Sequence, residues 1–207
     1  MRENASCVLI GSVCEDLCLG FANTLSWRGR AAPSEALQDF HDLLAWVEQS
    51  AQANAGATGG VAQWARAHPG KATGVFAEAI ALREVLNRVF GAAAAGDPAI
   101  ERDIAALGAA VANAPARRRL VRVEGGHAWQ IDALRPRAAD VLAPVLWSAA
   151  DLLLDAPRRR VRQCANHQCR WLFLDASKSG TRRWCDMASC GNRAKAGRHY
   201  AKVRARA

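Results

Sequence analysis

The chain has 207 residues, 51% of them apolar, and a formal net charge of +9. That length suits one full domain with a small second module, and the apolar fraction is ordinary for a globular protein. No run approaches the roughly 18 apolar residues that span a bilayer; the N-terminal apolar stretch is broken by Glu15 and Asp16, so neither a signal peptide nor a membrane partner is expected and the chain reads as cytoplasmic.

In chain order, residues 13–26 predict a short helix around Leu17, Phe21 and Leu25. Ser34, after Pro33, predicts the cap of a second helix carrying Leu37, Phe40, Leu44 and Val47 at helical spacing. Residues 53–60 read as a loop, and Val61–Ala67 as a short helix ending near Pro69. A long helix is predicted over 72–95, with Phe76, Ile80, Leu86 and Phe90 inward. Asp97-Pro98 opens the next, which carries Ile104, Leu107 and Val111. Then the period changes. Leu120–Val123 and Ala128–Ile131 flank Glu124-Gly125-Gly126, the signal of a β-hairpin. Residues 138–154 return to helix, with Pro144 bending or breaking it.

Pro157 and Arg158-Arg159-Arg160 mark the expected boundary between a helical domain, 1–156, and a module, 157–207. The charge divides at the same place: the first part sums to −3 and the second to +12. A cationic excess confined to one quarter of the chain points to a polyanion partner.

Four of the seven cysteines fall in this module as Cys164-x4-Cys169 and Cys185-x4-Cys190, with fifteen residues between the pairs. Two close pairs at that distance can present four thiolates tetrahedrally, which is the ligation zinc prefers. A module this small needs such a staple to hold a fold. Four thiolates leave no position for water, so the zinc is expected to be structural; His167 reads as a solvated turn residue. Four thiolates on one zinc carry −2, so backbone N–H groups are expected close by: Gly191 would let the backbone approach sulfur, and Asn192 would cap a helix beginning after Cys190. Between the pairs, Trp171–Leu174 predicts a strand, 175–180 a turn, and Thr181–Trp184 its returning partner. Trp171 and Trp184 read as module core. On the last helix, Ala196, Tyr200 and Val203 share one side and Lys195, Arg198, Lys202 and Arg206 another. This hairpin and helix would form a treble-clef-like finger, giving a mainly α protein with one β-hairpin in its helical domain and a small C-terminal four-cysteine zinc module. Replacing one ligand, as in Cys185→Ser, should then release zinc and unfold the module alone.

The run Phe173-x-Asp175…Arg182-Arg183-Trp184-Cys185-x-Met187…Cys190-Gly191-Asn192-Arg193-x-Lys195, with Cys164 and Cys169 before it, closely resembles the CGNR zinc-finger family. In that family the finger commonly follows a helical ABATE domain, and Leu19-Gly20-Phe21-Ala22-Asn23-Thr24-Leu25 looks like that domain's opening motif. Members often carry an acidic residue before the Phe; this chain has Gly20. The resemblance implies a bacterial, stress-related transcription regulator whose basic finger binds DNA.

Arg and Lys neutralise phosphates and release counterions, giving affinity without sequence information. The expected contacts are Arg182, Arg183, Arg193, Lys195, Arg198 and Lys202, on double-stranded DNA, with the helical domain sensing a small-molecule effector or forming a homodimer. Two alternatives stay open: an RNA-binding zinc ribbon using exposed aromatics, or a protein-interaction module with a purely structural zinc. No Gly-rich phosphate loop, nucleophile motif or paired carboxylates point to an enzyme. Cys7, Cys14 and Cys18 read as core or surface thiols. Phe21, Trp27, Phe40 and Trp46 read as core, though a ligand pocket among them would suit a sensor.

Overall fold

A computed structural model describes residues 8–10, 16–50, 56–124, 126–155 and 160–204, with only the backbone at 198–203. Its axis is helix α4, which follows α1 (Leu17–Ala22), α2 (Phe40–Ser50) and α3 (Gly59–Ala67) and runs Pro69–Ala95. Pro69 begins α4, where its missing N–H costs nothing. Gly96 ends it with φ 80°, and the Gly96 and Asp97 N–H groups close on Ala93 and Ala92. Ala72, Ala79, Leu86, Val89 and Phe90 form its buried side.

Helix α1 is shorter than the sequence predicts. Five of its six residues are buried, and it lies between α4 and α7 (Ala143–Leu154). The Thr24 hydroxyl donates back to the Phe21 carbonyl at 2.8 Å. The chain then leaves as strand β2 (Leu25–Ser26), paired antiparallel with β3 (Ser34–Glu35). Ser34 is therefore a strand residue and not a helix cap. The cap is Asp39, whose carboxylate accepts the N–H groups of His41 and Asp42 at 2.8 and 3.0 Å, while Asp42 reaches back to the N–H of Gln38. This reciprocal capping explains why α2 begins at Phe40.

Helix α5 (Glu101–Asn113) packs on α4, and the predicted hairpin is present as β4 (Arg119–Val123) and β5 (Gly126–Ile131). A third strand, β1 (Val8–Ile10), pairs with β5, which the sequence did not signal. The helix predicted over 138–154 breaks at Leu142 into α6 (Ala138–Val141) and α7, with Pro144 at the start of α7.

The cysteine-bearing segment follows as β6 (Val161–Gln163) and β7 (Leu172–Leu174). They pair antiparallel, Val161 opposite Leu174 and Gln163 opposite Leu172. The expected partner of 171–174 was 181–184. Asp175 redirects that stretch: its carboxylate accepts Ser177 N–H at 3.0 Å, Ser177 hydroxyl at 2.5 Å and Arg182 N–H at 3.0 Å, fixing a loop where a tight turn would be needed. Both strands pack on α4, and Val161 and Leu172 belong to the same buried core as α1, α4 and α7.

Candidate metal centre

Cys164 follows β6 directly, and its N–H donates to the Trp171 carbonyl at 2.8 Å across the hairpin. Between them the chain turns tightly. The Cys169 N–H reaches the Asn166 carbonyl, the Gln168 N–H reaches Asn166 Oδ1, and Arg170 takes a left-handed φ of 55°. The second pair lies at a π-helical turn, Met187–Gly191, capped by Asp186, whose carboxylate accepts from Ala188 and Ser189 N–H at 3.1 and 2.8 Å. Helix α8 (Asn192–Arg204) continues from it. Asn192 donates its side chain to the Ala188 carbonyl and does not cap; Asp186 has that role. A side chain at Gly191 would meet the Met187 sulfur at 2.7 Å, so that glycine clears room for the thioether.

The Sγ atoms of Cys164, Cys169, Cys185 and Cys190 all lie within 4.8 Å of one another. Cys169 and Cys185 are 3.7 Å apart. Sulfurs at ~2.3 Å from a tetrahedral zinc sit ~3.8 Å from each other, so this spacing fits the ion. Cys164, Cys169 and Cys190 are buried and Cys185 is partly buried. Without a cation such a cluster resists ionisation. Burial first, then the neighbouring Cys164 charge, pushes the Cys169 thiol up to about 11, and burial and Cys164 push Cys185 up as well. Burial also raises Cys190, but hydrogen bonds from Asn166 and the other thiols outweigh it and leave it below its ordinary value. Asn166 Nδ2 sits 3.5 Å from the Cys190 sulfur, a donor that tempers thiolate charge. His167 is exposed and outside the cluster. The donor set is four sulfurs, which fills a zinc tetrahedron, so the ion is structural.

The predicted phosphate contacts have divided positions. Arg182 is exposed but engaged, donating to the Trp184 carbonyl at 2.9 Å and to the Cys185 carbonyl, with its guanidinium 4.6 Å from the Phe173 ring centre. Arg193 lies 4.8 Å over Trp27, whose ring also carries Arg30 at 3.9 Å. Arg183 and Lys195 are exposed. Arg198 and Lys202 stand on α8, with side chains outside the described residues. Trp171, expected in the core, is 41% exposed, while Trp184 packs against Phe173 and the cysteines. Of the N-terminal thiols, Cys18 is buried, with burial pushing its thiol up to about 12; Cys7 and Cys14 lie outside the described residues.

The sequence did not reveal how the segment 23–30 grips the finger. Asn23 makes two hydrogen bonds with Leu172, donating to its carbonyl at 2.8 Å and accepting its N–H at 3.0 Å. The Gly29 N–H donates to the Gln168 carbonyl at 3.0 Å. A Cβ at Gly29 would strike the His167 carbonyl and sit 2.9 Å from Gln168 Cα, so only glycine fits under the knuckle. Gly29→Ala should cost about 1–3 kcal/mol by overpacking. The melting temperature should fall while zinc content holds; a melt indistinguishable from the parent's would refute the contact.

A family model described as "Putative stress-induced transcription regulator", ABATE, matches residues 15–156, and a CGNR zinc finger model matches 160–203. Curated proteins gave no match. With more than half of its length matched by the first model and its four thiols gathered within the second, this chain belongs to the ABATE family and ends in a CGNR zinc finger with one structural zinc.

Proposed function

We propose that this protein is a DNA-binding transcription regulator whose zinc finger docks on duplex phosphates through α8 and the adjoining loop. The observation that carries the reading is the state of the charges. Both acids of the finger are spent locally: Asp175 is buried in its loop and Asp186 caps the π turn. Among the described residues, no ion pair neutralises Arg183 or Lys195, and both are exposed. Lys195, Arg198 and Lys202 stand at i, i+3 and i+7, one face of a helix anchored at its start by the metal. Arg182 and Arg193 are exposed as well, and each also braces the finger, Arg182 on main-chain carbonyls and Arg193 over Trp27.

The helical domain would supply control. A cavity of about 320 Å³ between α2, α3 and α4, lined by Phe40, Leu44 and Phe76 with His41 and Arg66 beside them, suits a small amphipathic effector. An RNA reading draws on Trp171, exposed beside Arg170 and available for base stacking.

Selection from random duplex DNA and RNA pools at two salt concentrations separates these readings, with one enriched DNA motif expected. Replacing Lys195, Arg198 and Lys202 together with Ala should weaken duplex binding at least about tenfold and reduce the salt slope by about 3, roughly 0.9 per lost phosphate contact. An unchanged slope would remove α8 from the interface.

A further inference from the structure

Where the finger meets the last turns of α4, three arginines surround a cavity of about 250 Å³: Arg162 from β6, and Arg182 and Arg183 from the loop before Cys185. Its floor is Gly91, Ala94 and Ala95 of α4. No acidic residue lines it. We propose that this cavity is a phosphoryl-binding site built jointly by the helical domain and the finger.

Three independent observations point there. First, the cations have donors to spare. Arg162 gives Nη2 to the Gly180 carbonyl at 2.9 Å, yet its Nε is buried with no hydrogen-bond partner, the nearest carboxylate oxygen of Asp175 lying 4.0 Å away. That Nε is sealed from solvent and lies toward Asp175, but the side chain as a whole is 43% exposed and borders the cavity, where a phosphoryl oxygen can meet its remaining guanidinium N–H groups. Arg182 engages carbonyls through Nε and Nη2 only, and Arg183 lies over the Trp184 ring with no carboxylate beside it. Second, Gly91 stands inside a 27-residue helix, where glycine costs about 1 kcal/mol relative to alanine. Nothing lies within 4 Å of where its Cβ would be, so no neighbouring protein atom demands the glycine. The space above it faces the arginines, and an absent side chain keeps that space open. Third, the walls are rigid. The Ala165 N–H donates to the Arg183 carbonyl at 2.9 Å, tying the arginine loop to the residue after Cys164.

The volume is about eight times the ~30 Å³ share of a water molecule, enough for a phosphoryl group with a small pendant. The negative end of α4 opposes an anion, but its Ala92 and Ala93 carbonyls are already engaged by Asp97 and Gly96, and three guanidinium groups outweigh what remains. The phosphoryl group could belong to a duplex backbone or to a free phosphorylated molecule; the chemistry of capture is the same. The site does not depend on α8, so it stands or falls separately from the helix-face reading.

The experiment uses the full zinc-loaded chain and inorganic phosphate as probe. Phosphate at about 20 mM should raise the melting temperature by several degrees over sodium chloride of equal ionic strength, the mass-action effect of a ligand that binds only the folded state. Gly91→Glu places a carboxylate among the arginines and should abolish that increment while zinc content and helicity are kept; Gly91→Ala, which leaves most of the space, should retain it. Arg183→Gln, whose main chain still ties the loop, should reduce it several-fold and guards against a folding defect in the glutamate variant. A mixed-sequence duplex then identifies the source. Loss of duplex affinity in Gly91→Glu assigns the phosphoryl group to nucleic acid, and unchanged duplex affinity with the phosphate increment lost assigns it to a free molecule. No increment over chloride, or one that survives both Gly91→Glu and Arg183→Gln, would overturn the site.

Discussion

Removing the zinc, by chelation or by Cys185→Ser, is expected to destabilise the helical domain and not the finger alone. The two segments share one core: Val161 and Leu172, on the finger's strands, are 7% and 2% exposed among residues of α1, α4 and α7. The strands are expected to stay on α4 only while the metal closes the knuckle between them. Burying an aliphatic side chain is worth about 1.5–3 kcal/mol, so losing both withdraws about 3–6 kcal/mol from the helical domain. At about 2–4 °C per kcal/mol for a chain of this size, its melting temperature should drop by about 6–24 °C. The two Asn23 hydrogen bonds to Leu172 and the Gly29 contact with the knuckle would go with it. Circular dichroism in the far ultraviolet, followed against temperature with and without chelator, measures the effect. A helical melt that does not move on zinc loss would show that the finger is a passenger.

Arg83→Met should cost about 3 kcal/mol. Arg83 stands on α4 with its side chain 3% exposed. Its guanidinium grips both Glu35 oxygens at 2.7 Å, reaches Thr24 Oγ1 at 3.1 Å, and gives Nε to Glu84 at 3.0 Å. Glu84 in turn holds Arg28 at 2.6 Å, and Arg28 donates to the Ala22 carbonyl. Two arginines and two glutamates therefore tie the segment 24–35, which carries Trp27 and Gly29, to the long helix. Breaking a buried pair from one side costs about 3–5 kcal/mol; the low end applies because the Glu35 side chain keeps 29% exposure and can rehydrate. Methionine retains the aliphatic packing, so the loss reports the charge. The pH dependence has a definite sign. Burial pulls Glu35 and Glu84 upward, but hydrogen bonds and charge from Arg83 and Arg28 outweigh it and leave both below the usual carboxylate range. Their stabilisation is present above about pH 4.3, the unfolded glutamate value, and disappears as pH falls below that through the folded values. Parent and Arg83→Met melts should therefore differ by about 6–12 °C at neutral pH and converge in acid, below the glutamate range. Coincident melts at neutral pH would remove the network from the stability of the fold.

How much of this was legible in the sequence depended on the range of the interaction. Helical periodicity marked α4, the β-branched run around Glu124 marked the β4–β5 hairpin, and Pro144 marked the break before α7. Each is a local signal, settled by sterics and burial within a few turns. The reading of Ser34 as a cap failed because Asp39 competes for the same role with a better-placed carboxylate. The pairing of β7 went to β6 because Asp175 holds a loop, a choice between two extended segments that local pattern does not rank.

The sequence by itself determined the metal: four cysteines in two spaced pairs, the Cys-Gly-Asn-Arg run that ends them and the crowding of positive charge beyond residue 156 fix the chemistry wherever the segment packs. Tertiary structure alone decided how the finger is held. Contacts such as Asn23 with Leu172, 149 positions apart, and Arg193 over Trp27 leave no periodic trace, because they join surfaces that exist only after each part has folded. The same is true of the arginine cavity: Gly91 is an ordinary weak point of a helix until the strand bearing Arg162 is laid across it.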